Sequence, residues 1–202
     1  MLLAILLKCC IIFLIINPSL TDNPDRFEFE DCGSSGVIIH EIDMTPRPFI
    51  YPGVISAKLK ATVKHSISSF DVNMNIVRTI NGIQLPIKCF IFDGANVGSC
   101  RYSSDKVCDH MNFWTLNVTQ SFVHLVPMMK IFSLIVKCPE NTISEQYVDI
   151  NNYQFEIPDI SKYFSFLASG IFNTTIIVNS PNDPFGQPFF CGKFKYVLKP
   201  RQ

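Results

Sequence analysis

The sequence predicts an all-β protein, an antiparallel sandwich or barrel built from many short strands. Three observations carry this. Apolar and polar residues alternate with period two in several stretches, proline and glycine clusters separate those stretches, and no long segment shows the 3.6-residue period of an amphipathic helix. The chain has 202 residues, no net formal charge and 48% apolar residues, which is ample material for one core. A balanced charge offers no basic face, so no nucleic-acid partner is expected.

At the N-terminus, residues 2–16 are almost wholly apolar, with Lys8 as the only charge, and Asn17, Pro18 and Ser19 follow. The run is shorter than the roughly 20 apolar residues a bilayer span takes. It reads as a secretory signal peptide over residues 1–20, leaving a single domain over 21–202. Cleavage removes Lys8, Cys9 and Cys10, so the mature chain carries a charge of about minus one. The expected location is extracellular or lysosomal, reached through the secretory pathway.

Six cysteines then remain: Cys32, Cys89, Cys100, Cys108, Cys138 and Cys191. An even number in a secreted chain implies disulfides, and six cysteines allow fifteen pairings, among which spacing does not choose. There is no C-x-x-C, and Cys100 and Cys108, followed by Asp109 and His110, lack zinc-site spacing. No metal and no cofactor are expected.

The strands follow in order. "VIIHEIDM" at 37–44 is a first candidate. In 54–64, Ile55, Ala57, Leu59, Ala61 and Val63 alternate with Ser56, Lys58, Lys60, Thr62 and Lys64, giving one buried face and one wet face. In 70–78, Phe70, Val72, Met74 and Ile76 point inward and Asp71, Asn73 and Asn75 outward. "IFSLIV" at 131–136, "FEIP" at 155–158 and "IFNTTIIV" at 171–178 are shorter candidates, and 159–169 can hold a helical turn. Near the C-terminus, Phe190, Phe194, Tyr196 and Leu198 share one face, with Lys193, Lys195 and Lys199 opposite. "TPRP", "YPG", "DGANVG" and "SPNDPFG" mark turns.

Two glycosylation sequons agree with the secretory route, at Asn117 and Asn173. If Phe172, Thr174, Ile176 and Val178 face inward, Asn173 faces out. Catalytic signatures are missing: there is no G-x-S-x-G, no H-E-x-x-H and no P-loop. His40, His65, His110 and His124 are scattered, with His40 and His65 expected on or near wet strand faces, and an oxidised Cys108 is no nucleophile. The chain therefore reads as a binding protein and not an enzyme.

An ordered set of short motifs resembles the ML lipid-recognition family, with the ganglioside-activator branch the nearest in pattern. The set comprises Phe27, Phe29 and Cys32; Pro46, Pro48, Pro52 and Gly53; Cys89 with Gly98-Ser99-Cys100; Cys108; Cys138-Pro139; Phe155 and Pro158-Asp159; Gly170; and Cys191. It covers residues 27–199. The resemblance implies an Ig-like sandwich splayed into an apolar cup, and the pairs Cys32–Cys191, Cys89–Cys100 and Cys108–Cys138. The activator branch carries a further cysteine pair between the positions of Cys108 and Cys138. This chain has none, so lipid preference does not transfer.

The implied ligand is a glycolipid or phospholipid whose acyl chains enter the cup, with transient membrane contact and presentation to a lysosomal hydrolase as a sphingolipid activator. Leu59, Val63, Val72, Met74, Ile76, Phe172, Ile176, Phe194 and Tyr196 are candidates for its lining. Phe113, Trp114, Phe122, Leu125, Met128, Met129 and Phe132 are candidates for its mouth, with Tyr163, Phe164, Phe166 and Leu167 on the other lip. The alternative is a secreted Ig-like recognition module with a solid core that binds a protein partner.

Overall fold

The computed structural model describes residues 25–92, 95–107, 135–137, 140–157, 159, 169–181 and 186–201. The signal-peptide run, Cys108, Cys138, Asn117, Phe113, Trp114, Phe122, Met128, Met129, Phe132, Phe164 and Phe166 lie outside the described residues. So do His110, His124 and nearly all of the 159–169 candidate turn.

Fourteen strands occur among the described residues. The first half holds β1 (Glu28–Asp31), β2 (Val37–Thr45), β3 (Phe49–Tyr51), β4 (Gly53–Val63), β5 (Asp71–Ile80), β6 (Ile83–Ile87) and β7 (Phe90–Phe92). The second holds β8 (Ala95–Val97), β9 (Arg101–Ser103), β10 (Val136–Lys137), β11 (Thr142–Ile143), β12 (Gln146–Ile157), β13 (Gly170–Asn179) and β14 (Phe190–Pro200). Two sheets face each other across the core. The larger runs β1-β14-β13-β5-β6, with β3 parallel to the end of β14 and β9 also on β5; the smaller runs β12-β4-β2. All other pairs in both sheets are antiparallel. The expected all-β sandwich is the observed architecture.

Strand β4 shows why alternation was the right signal. Its residues Ile55, Ala57, Leu59, Ala61 and Val63 are all buried, and the residues between them are not. Its two neighbours each carry an irregularity. In β2 the register shifts between Ile39 and Glu41, so inward positions change from Val37 and Ile39 to Ile42 and Met44. In β12 it shifts between Ile150 and Tyr153, so Val148 and Ile150 give way to Tyr153, Phe155 and Ile157. An extra residue reverses which parity faces the core. This is why "FEIP" is only the end of a twelve-residue strand, and why Asn152, at φ 60°, sits inside a strand and not in a turn.

The β5 edge is shared by two strands. β6 pairs with Ile76–Ile80 and β9 with Asp71–Asn73. Between them, Met74 N–H donates to the Cys100 carbonyl at 2.9 Å and Ile76 N–H to Ser99 Oγ at 2.8 Å. The β7–β8 excursion that separates β6 from β9 is closed by Cys89–Cys100. Gly98 has φ 98°, and a Cβ there would lie 2.2 Å from the Lys88 carbonyl oxygen, so only glycine fits this return.

The second disulfide, Cys32–Cys191, ties the end of β1 to the start of β14. Both bonds are pairs that the resemblance implies. Beside it, Asp31 Oδ1 accepts the backbone amides of Gly33 and Ser34, each at 2.8 Å. Burial alone would raise the Asp31 pKa, but these amides, the Ser34 hydroxyl and Lys64 outweigh it and hold the carboxyl below its ordinary value. A depressed folded-state pKa contributes stability that is present above the unfolded value, near 3.9, and is lost as pH falls through the folded value. Asp31→Asn is therefore expected to be less stable than wild type at neutral pH, with the gap closing below about pH 4. Urea midpoints measured across pH check this; a gap that does not change with pH would mean the charge is not what the turn uses.

Candidate functional site

One end of the sandwich interior is solid. Phe49 stacks on Tyr196 at 5.4 Å between ring centroids, Tyr196 on Phe172 at 5.5 Å, and Phe27 lies 6.2 Å from Phe49. The Tyr196 hydroxyl meets Thr174 Oγ1 at 3.4 Å, and burial pushes its pKa up to about 12. Val63, Val72, Met74 and Ile76 are buried in the same continuous core. Arg78, 7% exposed, donates from Nε to the Ser169 carbonyl at 2.6 Å near this end.

Among the described residues, the other side is not filled. Where β1 and β2 form the adjacent edges of the two sheets, a cavity of about 50 Å³ opens outward, and the cleft with its open mouth encloses about 560 Å³. The large sheet contributes Phe29, Ile176, Val178 and Phe194, and the small sheet Ile39, Ile42 and Leu59. Val37, Ile135, Ile143, Phe189 and Phe190 complete the lining, which is apolar throughout. The β2 irregularity has a direct effect here. It brings both Ile39 and Ile42 to the inner face while leaving each only partly buried.

The inner end of the cleft is pinned by backbone. Ser35 N–H donates to the Pro188 carbonyl at 2.9 Å, Gly36 N–H to Phe189 at 3.0 Å, and Lys64 N–H to Gly36 at 2.8 Å. A Cβ on Gly36 would lie 2.2 Å from the Phe189 ring, so the glycine seats that ring as the cleft wall. His65 packs edge-on against Phe189 at 5.2 Å. His65 lies two residues past the end of β4 and is half-buried, so it sits nearer the cleft wall than the wet strand face expected for it. His40 remains on the outer side, its Nε2 2.8 Å from Thr62 Oγ1. Among the described residues, neither disulfide crosses from one sheet to the other, since both pairs belong to the large sheet and its connections.

Of the expected lining residues, Leu59, Ile176 and Phe194 border the cleft. Val63, Val72, Met74, Ile76, Phe172 and Tyr196 are buried in the core and do not border it, although Val63, Val72 and Met74 are cross-strand partners of the lining residues Val37, Val178 and Ile176. Phe29, Ile39, Ile42, Val178, Phe189 and Phe190 were not in that set. Phe29 is flanked by Glu28 and Glu30 on a four-residue edge strand, and the β2 residues straddle the parity change. Asn173 is exposed on the outer face of β13, with Lys195 as its cross-strand partner. Among the described residues no group of three His, Cys, Asp or Glu side chains is placed to hold a metal.

No family model matches the chain, and no curated protein does. Among solved structures, a Niemann-Pick type C2 protein from Japanese carpenter ant matches at 14% identity and TM-score 0.40, over 85% of this chain and 99% of that one. The C-terminal domain of wzt matches at 11% identity and TM-score 0.35, over 89% of this chain and 81% of that one. At these TM-scores neither likeness decides fold or function.

Proposed function

We propose that this chain is a non-catalytic lipid-binding protein that takes an acyl chain between its two sheets from the β1/β2 side. The observation that carries the reading is the wholly apolar cleft, left open beside a packed core among the described residues. An acyl chain of 16 carbons has ~13 kcal/mol opposing its transfer from bilayer to water. Only a dry apolar surface of comparable area offsets that. The present cavity, about 50 Å³, is far smaller than such a chain, so uptake requires the sheets to part at this edge. Apolar packing there, with no covalent cross-link between the sheets among the described residues, makes parting feasible.

The finer reading is a secreted or lysosomal carrier of a glycolipid or phospholipid that lifts its cargo from a membrane and presents it to a hydrolase, as a sphingolipid activator does. The motif resemblance suggests it. A signal peptide over 1–20, glycans on Asn117 and Asn173, a third disulfide Cys108–Cys138 and membrane contact through Trp114 and Met128 belong to the same proposal.

Native mass spectrometry of protein secreted from eukaryotic cells, before and after organic extraction, tests the core of it. An added mass that extraction removes is the expected result, and it identifies the lipid class. A clean glycoprotein mass, even after incubation with mixed liposomes, would sink the carrier reading and leave a solid-cored module for a protein partner. Stimulation of a purified sphingolipid hydrolase on vesicles tests the activator role separately.

A further inference from the structure

We infer that an N-linked glycan on Asn173 is seated in a groove across the outer face of the large sheet and fastens edge strand β1, and with it the Phe29 wall of the apolar cleft. This rests on the secretory reading of the chain and adds what the glycan does. Asn173 opens the sequon Asn173-Thr174-Thr175. It stands exposed in β13, a strand paired on both sides, and not on a loop. A groove of about 240 Å³ begins there and crosses β14 to β1. Two cross-strand rows of side chains line it: Asn173, Lys195 and Glu28 in one, Thr175, Lys193 and Glu30 in the other.

Those rows suit a sugar. The ammonium groups donate to hydroxyl and N-acetyl carbonyl oxygens, and the carboxylates accept from hydroxyl groups. Phe29, Thr174 and Phe194 turn their side chains to the interior, so the floor between the rows is backbone. Neighbouring strands lie about 4.8 Å apart, which puts β1 roughly 10 Å from β13. The first N-acetylglucosamine, bonded to Asn173 Nδ2, then lies over β14, and the second reaches β1. That bond forms as Nδ2 attacks the anomeric carbon of a lipid-linked oligosaccharide, loses one proton and releases the lipid diphosphate.

Strand β1 is where such a tether matters. It has four residues and, among the described residues, pairs only with β14. Cys32–Cys191 holds its far end, while Lys195 reaches Glu28 at 3.8 Å and Lys193 reaches Glu30 at 2.8 Å. These ion pairs are largely exposed and contribute little by themselves. Phe29 sits between the two glutamates with its ring 5.2 Å from that of Phe194, and both rings border the cleft. Fraying of β1 therefore opens the cleft from its large-sheet side, and a glycan bridging β13 to β1 opposes fraying. A free saccharide or a second copy of the chain is the rival occupant. The sequon at the groove's own end favours a sugar attached there.

Hydrogen–deuterium exchange of the secreted glycoprotein, made with high-mannose glycans, tests this. Endoglycosidase H trims the folded protein to the first sugar alone, which cuts off the part that reaches β1. Exchange at Glu28–Asp31 is expected to rise about fivefold on trimming, while exchange in β4 stays unchanged. Thr175→Ala removes this glycan only and should raise β1 exchange at least as much; Thr175→Ser keeps the sequon and should not. Lys193→Ala should raise β1 exchange more in the glycosylated protein than in the trimmed one. Protection of β1 that survives trimming or Thr175→Ala overturns the inference and leaves the secretory reading intact. An unmodified Asn173 beside a glycosylated Asn117, read from intact mass, does the same. A chain with no glycan at either sequon sinks both. Extractable lipid is scored separately, so carriage stands or falls by itself.

Discussion

Replacing Cys32 and Cys191 together by serine is expected to remove up to about 5 kcal/mol of folding stability. The two residues are 159 apart in sequence, so their bond closes nearly the whole described chain and restricts the unfolded ensemble most. The same treatment of Cys89 and Cys100, 11 apart, should cost about 3 kcal/mol. A domain of this size has about 5–15 kcal/mol in total, so the first loss leaves the fold marginal. The local hydrogen bonds do not replace it. Cys32 N–H to the Cys191 carbonyl and Cys191 N–H to Ser34 Oγ, each 2.9 Å, act in the native state and do nothing to the unfolded one. Urea unfolding of both double variants measures the pair of losses. The expected order is larger for Cys32/Cys191; the reverse order would mean that native geometry around β7–β8, and not chain entropy, sets the value of these bonds.

The legible part of this molecule is the part with regular alternation. β4, β5 and β13 follow period two without interruption, and the apolar residues the pattern names inward there are buried; β14 is less regular, with Cys191 and Val197 buried on its lysine-bearing face, and β5 buries Arg78 as well. The partners of β4 were only half legible. A single extra residue near His40 and an Asn-Asn pair at 151–152 each reverse parity, and asparagines in sequence argue for a turn. The cleft was less legible for the same reason. A lining position differs from a packed one by the distance between facing sheets, which alternation does not encode. Phe172 and Ile176 occupy the same face of the same strand, four residues apart, yet Phe172 stacks on Tyr196 and Ile176 borders open space. Their different positions along the strand decide this.

Binding at the cleft predicts opposite effects from two substitutions that both weaken the fold. Leu59→Ala deletes a fully buried lining side chain and extends the cavity, at a cost of about 3 kcal/mol. Ile39→Phe adds a ring at the partly buried β2 position beside the mouth and fills space of order the present 50 Å³, at about 1–2 kcal/mol. If an acyl chain enters here, the enlarged cavity has less of the sheet packing to disrupt. Leu59→Ala should then hold a fluorescent-chain phosphatidylcholine at least as tightly as wild type, despite its lower stability. Ile39→Phe should lose about tenfold or more, despite its higher stability, because the added ring must be displaced before the sheets can part. Titration of the labelled lipid, with thermal melts on the same samples, reads both quantities. Binding that rises in both variants as stability falls would make the lipid a non-specific partner of loosened protein, and binding unchanged in both would place it elsewhere. Ile39→Phe binding below wild type has no such explanation, since that variant is less stable than wild type and general loosening would raise its binding.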